Sequence, residues 1–329
     1  MYSDEKLSRI EDFGLITLMY HRFEENKYPS TNIKIEDFKQ HLKIIEESNI
    51  QFINPKNFQK EIIDSKKQRK ILLTIDDGFL SFYNNAWPIL KKKRIPFILF
   101  VSTREVGSFN YMNWKQINEI AKEEFVEIGN HSHTHEYLVD ENSELIKADI
   151  KKSINIFKKN LGQNSEFFSY PFGEYSISFK NIIKSLGFKY AFGQHSGVID
   201  ETKDFYELPR FPINEKYGEI KRFTSLTKTL PFKYKNIFPE EKYLLSNKNP
   251  PNVRIEFYED IKNLKSLNCY SNEANKWRKS EITFISNNVL QIFINDKFVG
   301  ERGRINCSLR DSSGFWRWLG IQFVLSENN

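Results

Sequence analysis

Short runs of continuous apolar residues, each about one strand long, alternate along most of this chain with segments whose apolar residues recur at helical spacing. Leu15-Ile16-Thr17-Leu18-Met19-Tyr20 is the first such run and ends in His21-Arg22; Ile71-Leu72-Leu73-Thr74-Ile75 is the second and is broken by Asp76-Asp77-Gly78. Phe97 to Val101, Phe125 to Ile128, Phe167 to Tyr170 and Phe188 to Phe192 read as further strands. Between them lie helical patterns over Glu36–Ser48, Phe79–Lys93, the stretch with Trp114, Ile117 and Ala121, the stretch with Leu145, Ile150, Ile154 and Phe157, and Ser178–Leu186. A strand that is apolar on both faces must be covered on both, which calls for a parallel α/β architecture with helices packed on the sheet.

Beyond about residue 223 the pattern changes. Pro231, Pro239, Pro250 and Pro251 punctuate a lysine-rich stretch without a sustained period, read as a connector over 224–250 between a first domain, 1–223, and a last one, 251–329. Val253–Tyr258, Glu281–Ile285, Val289–Ile294 and Leu319–Leu325 look like strands, with Asn287-Asn288 and Asn295-Asp296 at turn positions, so a small antiparallel, sandwich-like β-domain is expected.

The net charge of +6 is spread along the chain, and the one basic block, Lys91-Lys92-Lys93-Arg94, falls at a predicted helix end where cations offset the dipole; no nucleic-acid partner is expected. Cys269 and Cys307 lack any metal-ligand spacing; one disulfide or two buried thiols fit equally well. The segment Met1–Ile10 has no apolar core of signal-peptide length and no transmembrane run occurs, so the chain reads as soluble.

Three segments that each follow a predicted parallel strand carry most of the chemically capable side chains: Asp76-Asp77-Gly78, His131-Ser132-His133-Thr134-His135 and Tyr170-Pro171-Phe172-Gly173. The carboxyl ends of parallel strands are where ligands bind, so these segments should converge. Asp-Asp-Gly alone is most simply a turn. His131 and His135, four apart in a chain with only six histidines, change the balance, since both imidazoles can face one divalent ion. His133 lies between them and should point away, to a hydrogen bond or to solvent.

With these residues in view, the sequence resembles the polysaccharide deacetylases of carbohydrate-esterase family four, especially the branch acting on poly-N-acetylglucosamine. Thr74-Ile75-Asp76-Asp77-Gly78 is similar to the family's Thr-Phe-Asp-Asp-Gly motif, His131 to His135 to its paired-histidine motif, and Pro171-Phe172-Gly173 to its third motif; Leu18-Met19-Tyr20-His21 resembles the family's opening strand. The likeness covers roughly residues 15 to 215. It implies a distorted barrel of parallel strands and helices, a function in removing N-acetyl groups from an N-acetylated polysaccharide or oligosaccharide, and a location usually outside the cytoplasm, in the periplasm or cell envelope. It also implies one divalent metal, zinc first, with cobalt, nickel or iron as other choices, held by Asp77, His131 and His135. Asp76 would be the general base, and the Phe172 N–H would help stabilise the oxyanion, with Tyr170 and Pro171 at the substrate. A leaving amine needs an acid, and His195 is the candidate, with His21 as an alternative otherwise read as structural.

Two departures bear on this reading. Ser169 stands where the family carries an arginine that holds the base, and Arg210, in Leu208-Pro209-Arg210-Phe211-Pro212, is expected to reach the same carboxylate. The family's Asp-x-x-Asp-Trp wall segment is not recognisable. In the last domain, Trp316 and Trp318 share one face of a strand, beside Phe315, and serve either core packing or sugar stacking. Competing readings are a metal amidohydrolase or O-acetyl esterase acting on a small molecule, and a glycan-binding protein without catalysis.

Overall fold

The computed structural model describes residues 13–258, 261–311 and 314–326; the N-terminal segment Met1–Ile10 lies outside them. The first part is a curled, mostly parallel sheet wrapped by helices. Besides the short Gln51–Phe52, which pairs in parallel with Lys70 and Ile71, its strands are β1 (Leu15–Tyr20), β2 (Lys70–Ile75), β3 (Phe97–Val101), β4 (Val126–Asn130), β5 (Phe167–Ser169), β6 (Tyr190–Phe192), β7 (Val198–Ile199) and β8 (Phe211–Pro212). They lie in the order β7-β1-β2-β3-β4-β5-β6, with β8 also on β1, and all neighbours are parallel except β7 on β1. The helices that cover the sheet are α1 (Ile35–Glu47), α2 (Phe58–Asp64), α3 (Trp87–Lys93), α4 (Trp114–Ala121), α5 (Ser143–Leu161), α6 (Ile177–Ser185) and α7 (Ile220–Leu226).

Although the strands are apolar throughout, their two faces pack into different cores. Ile16, Leu18 and Tyr20 of β1, Ile71, Leu73 and Ile75 of β2, and Phe97, Leu99 and Val101 of β3 face the helices in one cluster. The alternate residues Leu15, Leu72, Ile98, Phe100, Phe167, Tyr190 and Phe192 meet in a second cluster inside the curl. This period of two decides which way each residue beyond a strand end points.

The curl closes through the segment that leads into β8. Leu208 donates its N–H to Ala191 O at 2.8 Å and accepts from Gly193 N at 3.0 Å, while Phe211 and Pro212 pair with Leu18 and Met19 of β1. Leu208 joins the interior cluster and Phe211 the helix-facing one, so Arg210 between them points inward.

The stretch expected as a connector, 224–250, instead supplies strands. β9 (Thr229–Pro231) and β11 (Tyr243–Leu244) both pair in parallel with β18 (Trp316–Leu325), and β10 (Tyr234–Phe238) pairs with β12 (Val253–Phe257). These strands are short and proline-punctuated, which left no period for sequence reasoning to detect. The remaining strands are β13 (Asn268–Glu273), β14 (Lys276–Lys279), β15 (Glu281–Phe284), β16 (Val289–Phe293) and β17 (Arg302–Arg310). Two antiparallel-rich sheets result, β9-β18-β17-β13-β14 with β11 and β10-β12-β16-β15, and their inner faces share one core containing Val253, Ile255, Leu290, Ile305, Leu319, Ile321 and Phe323. Cys269 and Cys307, directly opposite on β13 and β17, form a disulfide inside that core.

Gly129 of β4 has no room for a side chain: a Cβ there would lie 2.3 Å from the ring of Phe100, itself fully buried inside the curl. Gly129→Ala is therefore expected to destabilise the fold by about 1–3 kcal/mol through overpacking, read as a lower denaturant midpoint with an unchanged m-value.

Candidate functional site

The interior parity of each strand, continued one step past its end, assembles the mouth of the curl. Thr17 and Met19 lead to His21, Leu72 and Thr74 to Asp76, Gly129 to His131, Phe167 to Ser169 and Leu208 to Arg210. Asp77 breaks the alternation with a left-handed backbone, φ 74°, which returns its carboxylate to the side Asp76 already faces; Ser132 (φ 67°), His135 (φ 53°) and Phe172 (φ 56°) are left-handed too. Such conformations are costly for residues with a Cβ, and their concentration here marks a site whose geometry outweighs local preference.

The histidine loop is pinned from several sides. The Asn130 carboxamide oxygen accepts from Ser132 N at 3.0 Å, the Ser132 hydroxyl accepts from His135 N at 3.0 Å, and Asp149 of α5 accepts from His133 N and Thr134 N at 2.8 and 3.1 Å. The His133 ring turns away to Thr103, 2.9 Å from its hydroxyl.

His131 Nε2, His135 Nε2 and Asp77 Oδ1 form a nearly equilateral triangle with sides of 3.2, 3.3 and 3.3 Å. Two ligands about 2.0–2.1 Å from a tetrahedral centre lie about 3.3–3.4 Å apart, so the triangle has the dimensions of three corners of a zinc-type site. The donor chemistry agrees. His131 Nδ1 lies 2.7 Å from Ser169 O, a pure acceptor, so Nδ1 carries the proton and Nε2 presents its lone pair to the triangle. Asp77 Oδ1 is buried with no hydrogen-bond partner of acceptable geometry among the described residues, an arrangement that a cation would complete. Burial alone would raise the Asp77 pKa, but the His135 and His131 imidazoles hold it well below the ordinary carboxylate value. The three residues fit a divalent metal.

Asp76 sits beside the triangle, its Oδ2 4.0 Å from His131 Nε2. Arg210 grips it from the closing segment, with Nη1 donating to Oδ1 at 2.7 Å and Nη2 to Oδ2 at 2.9 Å. Ser169 Oγ donates to Asp76 Oδ2 at 3.2 Å and accepts from Arg210 Nη2 at 2.8 Å; Thr74 Oγ1 and Gly193 O take further guanidinium N–H groups at 3.1 and 3.0 Å. Both charges are fully buried. Burial pushes the Asp76 pKa up, yet the guanidinium and the neighbouring imidazoles bring it below its usual value, so the carboxylate stays ionised.

Other expected residues fall elsewhere. Tyr170 is buried on the helix side, its ring against Phe168 and Phe179 and its hydroxyl donating to Tyr206 O at 2.9 Å; being one step past Ser169, it has the wrong parity to meet a substrate, and Pro171 is buried as well. Phe172 does line the site, its ring stacked on Tyr137 at 4.2 Å and edge-on to His135 at 4.8 Å. His195 is partly exposed beside Tyr175 and feels the charges of Lys242, Lys180, Arg210 and Lys203; burial first, then these cations, push its pKa down to about 3. The His21 ring instead faces Asp77, Asp76, Arg210 and His131, and its pKa is lowered first by burial and further by Arg210 and His131, against the opposing influence of the two carboxylates. Strand parity through Thr17 and Met19 was the sequence signal for His21.

Residues 64–191 match the family described as polysaccharide deacetylase. The likeness to that family is thus carried by the segment holding Asp76, Asp77, His131 and His135. A poly-β-1,6-N-acetyl-D-glucosamine N-deacetylase of Staphylococcus epidermidis is 27% identical over 223 residues, covering 64% of this chain and 75% of the relative. The same-named protein of a Staphylococcus aureus strain is 27% identical over 254 residues, 67% of this chain and 86% of the relative. Among solved structures, IcaB from Ammonifex degensii superposes with a TM-score of 0.59 at 25% identity, covering 66% of this chain and 97% of that one. Streptococcus pyogenes deacetylase PplD in complex with acetate gives a TM-score of 0.59 at 22% identity, covering 66% and 99%. The deacetylase domain therefore accounts for the curled sheet.

Arg210→Met leaves Asp76 buried without its counterion and is expected to cost about 3–5 kcal/mol of stability. Adding Asp76→Ala should recover part of that loss, because the stranded charge is then gone. Urea unfolding of the single and double variants measures both effects.

Proposed function

We propose that this chain hydrolyses the N-acetyl groups of an N-acetylglucosamine polymer, releasing acetate, with a divalent metal held by Asp77, His131 and His135. The observation that carries the reading is the Arg210-bound carboxylate of Asp76 beside the ligand triangle: a base locked next to a metal position serves hydrolysis, and a protein that only binds glycan has no use for it. The names of the staphylococcal relatives supply the polymer and the acyl group.

A divalent cation in the triangle supplies Lewis-acid chemistry, polarising the acetyl carbonyl and lowering the pKa of a water, to about 7 for zinc. Asp76 is the general base that takes the proton of the attacking water. Of about four lone-pair positions on its carboxylate, the two Arg210 contacts and the Ser169 hydroxyl occupy three, which fixes the orientation and leaves one for the proton in transit. Arg210 is a positioning residue, doing from the closing segment what the family's arginine does from the place now taken by Ser169. The backbone N–H of Phe172, in its left-handed turn, faces the developing oxyanion.

Protonation of the leaving amine falls to His21 in preference to His195. The Asp77 and Asp76 carboxylates favour a proton on His21, whereas burial and the charges of Lys242, Lys180, Arg210 and Lys203 all oppose one on His195.

Metal-loaded protein is expected to release acetate from N-acetylglucosamine oligomers, and both chelation and Asp76→Asn should reduce the rate by about 100-fold or more. Acetate release that survives Asp76→Asn at full rate would remove Asp76 from the base role. Release from O-acetylated or small N-acetylated compounds alone would turn the reading to an esterase or a small-molecule amidohydrolase.

A further inference from the structure

We infer that the seam between α7 and the outer face of β17 and β18 is a second sugar-binding site, which takes a ring of the polymer away from the unit being deacetylated. The inference rests on the proposed polysaccharide substrate for the kind of ligand, and on the following geometry for the site itself.

Along β18, Leu319, Ile321 and Phe323 face the core shared by the two C-terminal sheets, so Trp316 and Trp318 face the other way. Ser308 of β17 lies directly across from Trp318 on that same outer face. α7 stands opposite, Thr229 of β9 lies beside Trp316 in the same sheet, and the two walls enclose a cavity of about 220 Å³ lined by Phe211, Arg222, Thr229, Ser308, Trp316 and Trp318. The lining is amphipathic in the sense a pyranose requires: indole and phenyl faces for its C–H surface, and hydroxyl and guanidinium groups for its rim.

Trp318 supplies the sharper argument. Its ring is edge-on to Phe211 at 6.2 Å, and its Nε1–H is enclosed with no hydrogen-bond partner among the described residues. A buried donor left unpaired is costly, and an acceptor seated in the cavity, such as a sugar hydroxyl, removes that cost. Trp316, 40% exposed, stands at the mouth, where a ring can enter and stack.

The site is separate from the catalytic mouth. Phe211 belongs to the helix-facing core, while its neighbour Arg210 points into the curl toward Asp76, so the wall between them is the closing strand itself. A ring held here cannot be the reacting one, and the chain joining the two must be a polymer or a long oligomer. Tethering at a second point raises the effective concentration of acetylated units at the first.

The test uses the full chain, stripped of metal by a chelator so that substrate is not consumed, titrated calorimetrically with an N-acetylglucosamine pentamer and with the disaccharide. Trp316→Ala removes the stacking face, and Ser225→Trp, at an exposed position of α7 on the same cavity, fills the entrance from the opposite wall. Both variants are expected to bind the pentamer roughly tenfold more weakly, as for loss of one aromatic contact, and to raise KM for the pentamer by a larger factor than KM for the disaccharide. Unchanged pentamer affinity in both variants, or no pentamer binding by the unsubstituted chain, overturns the inference. Acetate release by the metal-loaded protein is read separately. Variant-sensitive binding without release supports the pocket and sinks the deacetylase reading; release with variant-insensitive binding does the reverse.

Discussion

The buried pair of Asp76 and Arg210 is where the fold and the chemistry meet. A carboxylate and a guanidinium, both without solvent, are tolerable only when each is paired and its remaining hydrogen-bonding groups are satisfied. Here the guanidinium is shared among Asp76, Ser169, Thr74 and Gly193, four partners contributed by β2, β5, the turn after β6 and the motif carboxylate itself. Since Arg210 arrives on the segment that closes the curled sheet between β6 and β1, sheet closure and orientation of the Asp76 carboxylate are one event. An arginine on the third-motif strand would orient Asp76 without involving the closure. Moving the cation to the closing segment makes the orientation of Asp76 depend on the whole ring of strands.

The alternation of strands and helices was legible because each barrel strand is a continuous apolar run, and the convergence of Asp77, His131 and His135 was legible because the three lie in two compact motifs. Arg210 was reachable only through the absence of an arginine at Ser169, since nothing local distinguishes Leu208-Pro209-Arg210-Phe211-Pro212 from a surface turn. Side-chain direction was harder to read than position. Tyr170 adjoins the third motif in sequence yet faces the helices, because one residue along a strand exchanges one face for the other. His21 looked structural for the opposite reason: its motif neighbours are apolar, and the interior parity emerges only once Leu15, Thr17 and Met19 are seen to face inward. Pattern also failed in 224–250, where strands of two to five residues are defined by their partners in β18 and β12 and carry no signal of their own.

The C-terminal strands are bound to the deacetylase domain at the loops that shape its mouth. Gly320 N donates to Ser196 O at 2.6 Å, and a Cβ at Gly320 would meet Ser196 backbone atoms at the same distance, so the two chains touch along their backbones. Gln322 Nε2 donates to Gly173 O at 3.3 Å, the buried Glu174 is paired with Arg302, and the Tyr137 hydroxyl donates to Glu301 at 3.0 Å. Two of these contacts fall beside the site: Gly173 follows Phe172, and Tyr137 stacks on Phe172 and follows His135 by two.

Those contacts bear on the missing wall segment of the family. The Asp-x-x-Asp-Trp stretch is not recognisable in this chain, and the Phe172 turn and the 194–197 loop are braced from outside, through β17 and β18. The left-handed Phe172 and His135 gain from such bracing, because a strained backbone persists only where its surroundings over-determine it. The polar contacts to Gly173 and Glu174 hold the turn in its left-handed conformation, while the apolar inner faces of the same strands, with the disulfide between β13 and β17, make the brace stiff. The Phe172 turn and the 194–197 loop are thus held by the pair of C-terminal sheets as well as by the curled sheet that carries them.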